Sequence, residues 1–239
     1  MNFLSHDFVL PSGAPALTRV GSALPDLWSV LVRRPLPLVV QRRLEATPGQ
    51  EAIELVRGIR SHLAADAAFH GHSVFRERVA WLAPQIEPVW QGLRHASLAA
   101  HVLVEMVLDA WIVAREPSRL DDYYACFSPP QNRTAAMLSA SDAPMETEVM
   151  AVLDRFSGVQ FLRDYATPEG TVDRFVRLLT HTPFVSGTRP DVDRLVDVTK
   201  AAVERFEAGS CELLEQVRTA SDEALGRQTQ TKRSALPWV

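Results

Sequence analysis

From Gly58 to His72 the chain reads GIRSHLAADAAFHGH, a run of small and apolar residues interrupted by His62, Asp66, His70 and His72. His62, Asp66 and His70 are spaced four apart, so on a helix they share one face. Imidazole nitrogens and carboxylate oxygens are the donors that Zn, Mn and Fe ions accept. The small apolar residues around them turn the stripe inward, and an inward carboxylate needs a partner, because an unpaired buried charge is very costly. A second stretch repeats the spacing. In His101-Val102-Leu103-Val104-Glu105-Met106-Val107-Leu108-Asp109, three ligand-type residues again fall at i, i+4 and i+8 among apolar neighbours. Two such helices facing each other would converge carboxylates and imidazoles, which is how helical bundles build metal sites. Upstream, His6 follows the apolar Met1-Asn2-Phe3-Leu4. Asp26 sits in Ala23-Leu24-Pro25-Asp26-Leu27-Trp28, either as an N-cap after a proline or as a buried ligand. A single histidine on an apolar helix is more often a hydrogen-bonded core residue, and an isolated Asp–His pair is worth little. The repetition on two helices is what points to a metal.

These side chains need helices to hold them, and the rest of the chain supplies the pattern. Apolar residues recur at three- and four-residue spacing, glycines number only 11, and alternating β-branched runs are missing, so the fold class is all-α. Residues 1–22 read as an apolar entry segment broken by Pro11, Gly13 and Pro15. Helices are expected over about 23–32, 50–69 with Gly58 marking a bend, 73–93 with a kink or break at Pro84 and Pro88, and 95–115. Residues 129–144 read as a loop or a short helix. Further helices are expected over about 145–164, 168–179 and, as one long element, 190–225. The economical organisation is a single-domain helical bundle over residues 1–226 with a polar C-terminal tail at 227–239.

Composition removes several function classes. The chain has 239 residues, 46% of them hydrophobic and 23% charged, so a packed core rather than disorder is expected. The net charge of -4 argues against nucleic-acid binding, which needs clustered positive charge. No apolar run looks long enough to cross a bilayer, and MNFLSHDFVL has no basic segment of a secretory leader. Cys126 and Cys211 are the only cysteines, which excludes a disulfide scaffold or cysteine-rich zinc site and fits a reducing compartment, the cytoplasm. Lys200 and Lys232 are the only lysines, a bias that a GC-rich genome explains.

The same residues resemble those of the bacterial acyl carrier protein phosphodiesterase family, a helical group related to the HD-domain metal-dependent phosphohydrolases. MNFLSH is similar to that family's opening MNFLAH. Val20-Gly21-Ser22-Ala23-Leu24-Pro25-Asp26 is similar to its Gly-Asn-Leu-Leu-x-Asp segment. Gly58-Ile59 with His62 and Asp66 resembles Gly-Ile-x-x-His-Arg-x-x-Asp, and His72 with Val74 falls where many members have Ser-His-Pro-x-Val. Leu103 to Asp109 resembles Leu-x-Asp-x-x-x-Asp-His. Phe161-Leu162-Arg163-Asp164-Tyr165 with Glu169-Gly170 looks like Trp-Leu-x-x-Tyr then Gly. The likeness runs in the same order over roughly residues 1–205.

The resemblance implies an HD-domain-like fold and hydrolysis of the phosphodiester that joins phosphopantetheine to a carrier-protein serine. Its partner would be an acyl carrier protein or a small phosphodiester substrate. Together with the spacing above, it makes His6, Asp26, His62, Asp66 and Asp109 the expected ligands of a divalent ion (Mn, Zn, Fe or Mg). Asp66, Glu105 and His70 are the expected catalytic residues, with His101 beside them to orient ligands or move a proton. Arg60 or Arg94 would meet phosphate. The chain departs from the family at Leu63, His70, Glu105 and Ala110, and His101 is an addition. The shorter likeness of Ser61-His62-Leu63-Ala64-Ala65-Asp66 to zinc-dependent phospholipase C-like proteins keeps another phosphohydrolase reaction open. So does a non-catalytic helical protein with a vestigial metal site.

Overall fold

A computed structural model of the chain describes residues 1–31, 35–140, 142–182, 185 and 189–233. The described regular structure is helical, without strands; Leu93 and Val185 form an isolated antiparallel bridge. The helices are α1 (Phe3–Phe8), α2 (Ala16–Trp28), α3 (Pro37–Glu45), α4 (Gln50–Gly71), α5 (Ser73–Ile86) and α6 (Ala96–Arg115). They continue as α7 (Ser118–Ala125), α8 (Pro130–Met137), α9 (Ala143–Val159), α10 (Pro168–Thr180), α11 (Val192–Glu207) and α12 (Ser210–Arg233). Short 3-10 turns cover Glu87–Val89 and Phe161–Ala166. The all-α class read from the sequence is what the chain adopts.

Local chemistry sets the helix starts. Asp142 accepts from Met145 N–H at 2.9 Å, Thr167 from Gly170 N–H at 3.1 Å, and Asp191 from Arg194 N–H at 3.2 Å. Each satisfies an orphan donor of the first helical turn. His72 does the same for α5, its Nδ1 accepting from Val74 N–H at 3.1 Å. Several boundaries differ from the sequence reading. The entry segment contains α1 and the start of α2, which begins at Ala16 instead of about 23 and takes in Pro25 near its end. Asp26 is therefore in the last turn of α2 and caps no N-terminus. Val32, expected at that helix's end, lies outside the described residues. The element expected over 190–225 is two helices, because Gly209 turns the chain with φ +86°, a left-handed value that a side chain strongly disfavours. Helical backbone also continues past 226 to Arg233, into the segment read as a tail, while 234–239 lie outside the described residues.

The helices pack into two compact units. The first takes in the described residues of 6–68, 121–160 and 215–233. Its α2 packs on α8 and α9, and Tyr123, Tyr124, Phe127 and Phe156 form an aromatic cluster with ring centroids 5.1–6.0 Å apart. The second comprises 1–5, 69–120 and 161–214. There α6 is the central helix, flanked by α5, α10 and α11. With 20 residues and a mean hydropathy of 1.7 over its most apolar window, α6 is long and apolar enough to span a bilayer, against the sequence expectation. Its window is 67% buried, as a core helix requires.

α4 runs through Gly58 without a break. A Cβ there would lie 2.1 Å from the Thr18 carbonyl oxygen and 2.5 Å from the Ser22 nitrogen. One on Gly21 would lie 2.5 Å from the Leu55 carbonyl oxygen. The two glycines let α2 and α4 cross backbone to backbone. Gly58→Ala should therefore destabilise the protein by roughly 3 kcal/mol, the upper part of the usual overpacking range, measured by urea unfolding. A variant stabilised by up to about 1 kcal/mol, as at an exposed helical glycine, would refute that crossing.

Candidate metal centre

The close crossing of α2 and α4 places the first cluster. His62 lies one turn after Gly58 on α4, and its Nδ1 is 2.8 Å from the Ser22 carbonyl oxygen on α2. A carbonyl can only accept, so Nδ1 carries the proton and Nε2 presents its lone pair. Outer hydrogen bonds of this kind orient metal-binding histidines. His62 Nε2 is 3.9 Å from Asp26 Oδ1. The His6 ring stacks on that of His62, with centroids 3.6 Å apart and planes at 21°. His6 Nε2 is 4.0 Å from Asp66 Oδ1. All four residues belong to the first unit.

The donor set fits a divalent ion. One ligand atom from each of His6, Asp26 and His62 lies within 4.8 Å of the others. Donors around a tetrahedral ion at about 2.1 Å stand ~3.4 Å apart, so the His62–Asp26 and His6–Asp66 separations of 3.9 and 4.0 Å must each close by some tenths of an ångström to share an ion. Neither is short enough for a hydrogen bond. The imidazoles are buried, with side chains 0% and 7% exposed, whereas Asp26 and Asp66 are 23% and 36% exposed. The site is thus walled by histidine and open on its carboxylate side.

Of the other expected site residues, Arg60 belongs to the first unit, and His70, His72, Arg94, His101, Glu105 and Asp109 to the second. Glu105 Oε1 is 2.9 Å from His70 Nε2, 3.1 Å from His101 Nε2 and 3.2 Å from the Met1 amino group. The His70 and His101 rings stack with centroids 4.8 Å apart, and Phe75 meets both edge-on. Burial pushes the Glu105 carboxyl up, but hydrogen bonds from His101 and His70 outweigh it and hold the group at about 2. Asp109 is fully buried, and its oxygens accept from Leu4 N–H at 3.2 Å and Ser5 N–H at 2.8 Å, in the first turn of α1. Burial raises its pKa to about 7 despite those bonds. His72 is used as the α5 cap. Arg60 is ion-paired to Glu45 at 2.6 Å, and Arg94 is exposed.

One pair escaped the sequence reading. Asp7, next to His6, is buried and takes a forked contact from Arg19, Nε to Oδ1 at 2.5 Å and a second guanidinium nitrogen to Oδ2 at 2.8 Å. The hydrogen bond to Asp7 raises the Arg19 pKa although burial opposes it. The bidentate pair fixes the chain next to His6. Its only sequence signal was a carboxylate adjoining a candidate ligand.

With this geometry in hand, comparison with known proteins adds no relative: no family model, no curated protein and no solved structure matches the chain.

Proposed function

We propose that the chain is a metal-dependent phosphodiesterase of HD-domain-like type that hydrolyses the phosphopantetheine–serine phosphodiester of an acyl carrier protein. The observation that carries the reading is the convergence of His6, Asp26 and His62, with Asp66 at the rim, from three segments that the sequence likeness also singles out. A bound divalent ion would supply a Lewis acid for the phosphoryl oxygen and a water of lowered pKa. His6 and His62 would hold it from the buried side. Asp26 would add a carboxylate oxygen. Asp66, the most exposed of the four, is placed to orient the attacking water and take its proton. Water adds at phosphorus, the bond to the serine oxygen breaks, and the proton that Asp66 took from the water passes to the departing serine oxygen. The mixed imidazole and carboxylate set suits Zn, Fe or Mn better than Mg. Two free thiols, Cys126 and Cys211, support a reducing, cytoplasmic setting.

The test is direct. Protein stripped with a chelator and reloaded with each metal should release phosphopantetheine from loaded carrier protein, and the stripped protein should not. Hydrolysis of simple diesters without action on the carrier protein would favour a different phosphohydrolase on the same centre. No hydrolysis with any ion would end the proposal.

A further inference from the structure

We propose that His70, His101 and Glu105 form a second, zinc-selective site, separate in its residues from the His6–Asp26–His62 centre. His101 and Glu105 stand one turn apart on α6, and His70 comes from the end of α4. The three ligand atoms lie within 4.8 Å of one another, and all three residues belong to the second unit. Both imidazoles turn Nε2 to the same carboxylate oxygen, at 2.9 and 3.1 Å. Ligands around a tetrahedral ion at 2.0–2.1 Å stand ~3.4 Å apart along each edge. Each Nε2 donates its proton to the carboxylate, so zinc entry must release that proton. With both N···O distances opened by some tenths of an ångström, and the two ring nitrogens, now within 4.8 Å of each other, at a similar spacing, the hydrogen-bonded triad becomes three corners of a zinc tetrahedron. The edge-on contacts of Phe75 with both rings keep them from swinging away.

The chemistry favours zinc over the alkaline-earth ions. Two imidazoles and one carboxylate are a common three-residue zinc set, which leaves a fourth position for water or another ligand. Magnesium and calcium prefer oxygen and would gain little from two ring nitrogens. Access is available: the side chains of His70, His101 and Glu105 are 30%, 36% and 18% exposed, unlike the buried histidines of the first centre.

The test uses full-length protein freed of metal and titrated with zinc alone, with bound metal counted by elemental analysis. Wild-type protein should take two equivalents, and His101→Gln one. In a His62→Asn background, which lacks a ligand of the first centre, one equivalent should remain. Adding His101→Gln or Glu105→Gln to that background should weaken it ~100-fold or more, since even loss of an outer partner costs 10–100-fold. Magnesium should not compete. Helical circular dichroism checks that each variant is folded; if the His62 background does not fold, wild type against His101→Gln decides alone. Zinc stoichiometry and affinity unchanged by His101→Gln and Glu105→Gln would overturn the site and leave the triad a hydrogen-bond network. Loss of hydrolysis with this second equivalent intact would count against the proposed function only.

Discussion

Replacing His62 with alanine should lower metal-dependent phosphodiester hydrolysis by about 10³-fold or more. A ligand that fixes the ion's position is worth several kcal/mol in the transition state, and roughly 4 kcal/mol is a factor of 10³. His62 is the residue whose loss should be felt most. Its ring is buried, its Nδ1 is anchored on the Ser22 carbonyl at 2.8 Å, and its face supports the His6 ring. Asp66→Ala should also lower turnover, with a smaller effect on ion affinity, because that carboxylate stands at the open rim. Melting separates the two roles. Ion at 100 times its Kd should stabilise wild-type protein by about 2.7 kcal/mol. Asp66→Ala should keep much of that stabilisation, and His62→Ala should lose it. Hydrolysis surviving both substitutions would show that the reaction, if present, occurs elsewhere.

The first centre was legible because each of its parts has a local signature. His62 and Asp66 share a helical face, and Asp26 and His6 are polar residues in apolar surroundings. What a linear pattern does not carry is the partner from a distant segment. Asp109 reads as a ligand because it repeats a spacing, yet its two oxygens take backbone N–H groups of Leu4 and Ser5, which have no residue-type signal. Gly58 reads as a helix weakness because propensity is local, while its reason is the α2 backbone 2.1 Å from where a Cβ would be. The break at Gly209 was missed for the opposite reason. Apolar spacing continues in register on both sides of it, and one left-handed residue interrupts a helix without disturbing the pattern. Pro15 reads as a breaker of the entry segment, yet it stands at the N-cap of α2, where a proline just before the helix is tolerated, so the helix starts earlier than its apolar pattern suggests.

Asp109 leads to the other large expected effect, on stability against pH in metal-free protein. Its carboxyl is fully buried and its pKa is raised from 3.8 to about 7, mainly because the charged form is desolvated and two backbone donors do not compensate. Between those values the folded state binds the proton more tightly than the unfolded state, so stability falls as pH rises. The penalty is absent below about pH 4 and complete above about pH 7, reaching about 4 kcal/mol for a shift of roughly three units. Asp109→Asn has no such titration. It replaces one acceptor by an amide that faces a backbone N–H, a cost that does not vary with pH, so it should be less stable than wild type in acid. Urea unfolding of both chelated proteins from pH 4.5 to 8 should show wild type losing most of this ~4 kcal/mol relative to the variant, enough to narrow or reverse its lead at the alkaline end. Other titrating groups are common to both proteins and cancel in the difference. Parallel stability curves would mean that Asp109 titrates at its ordinary value, and the desolvated carboxyl on the first turn of α1 would have to be abandoned.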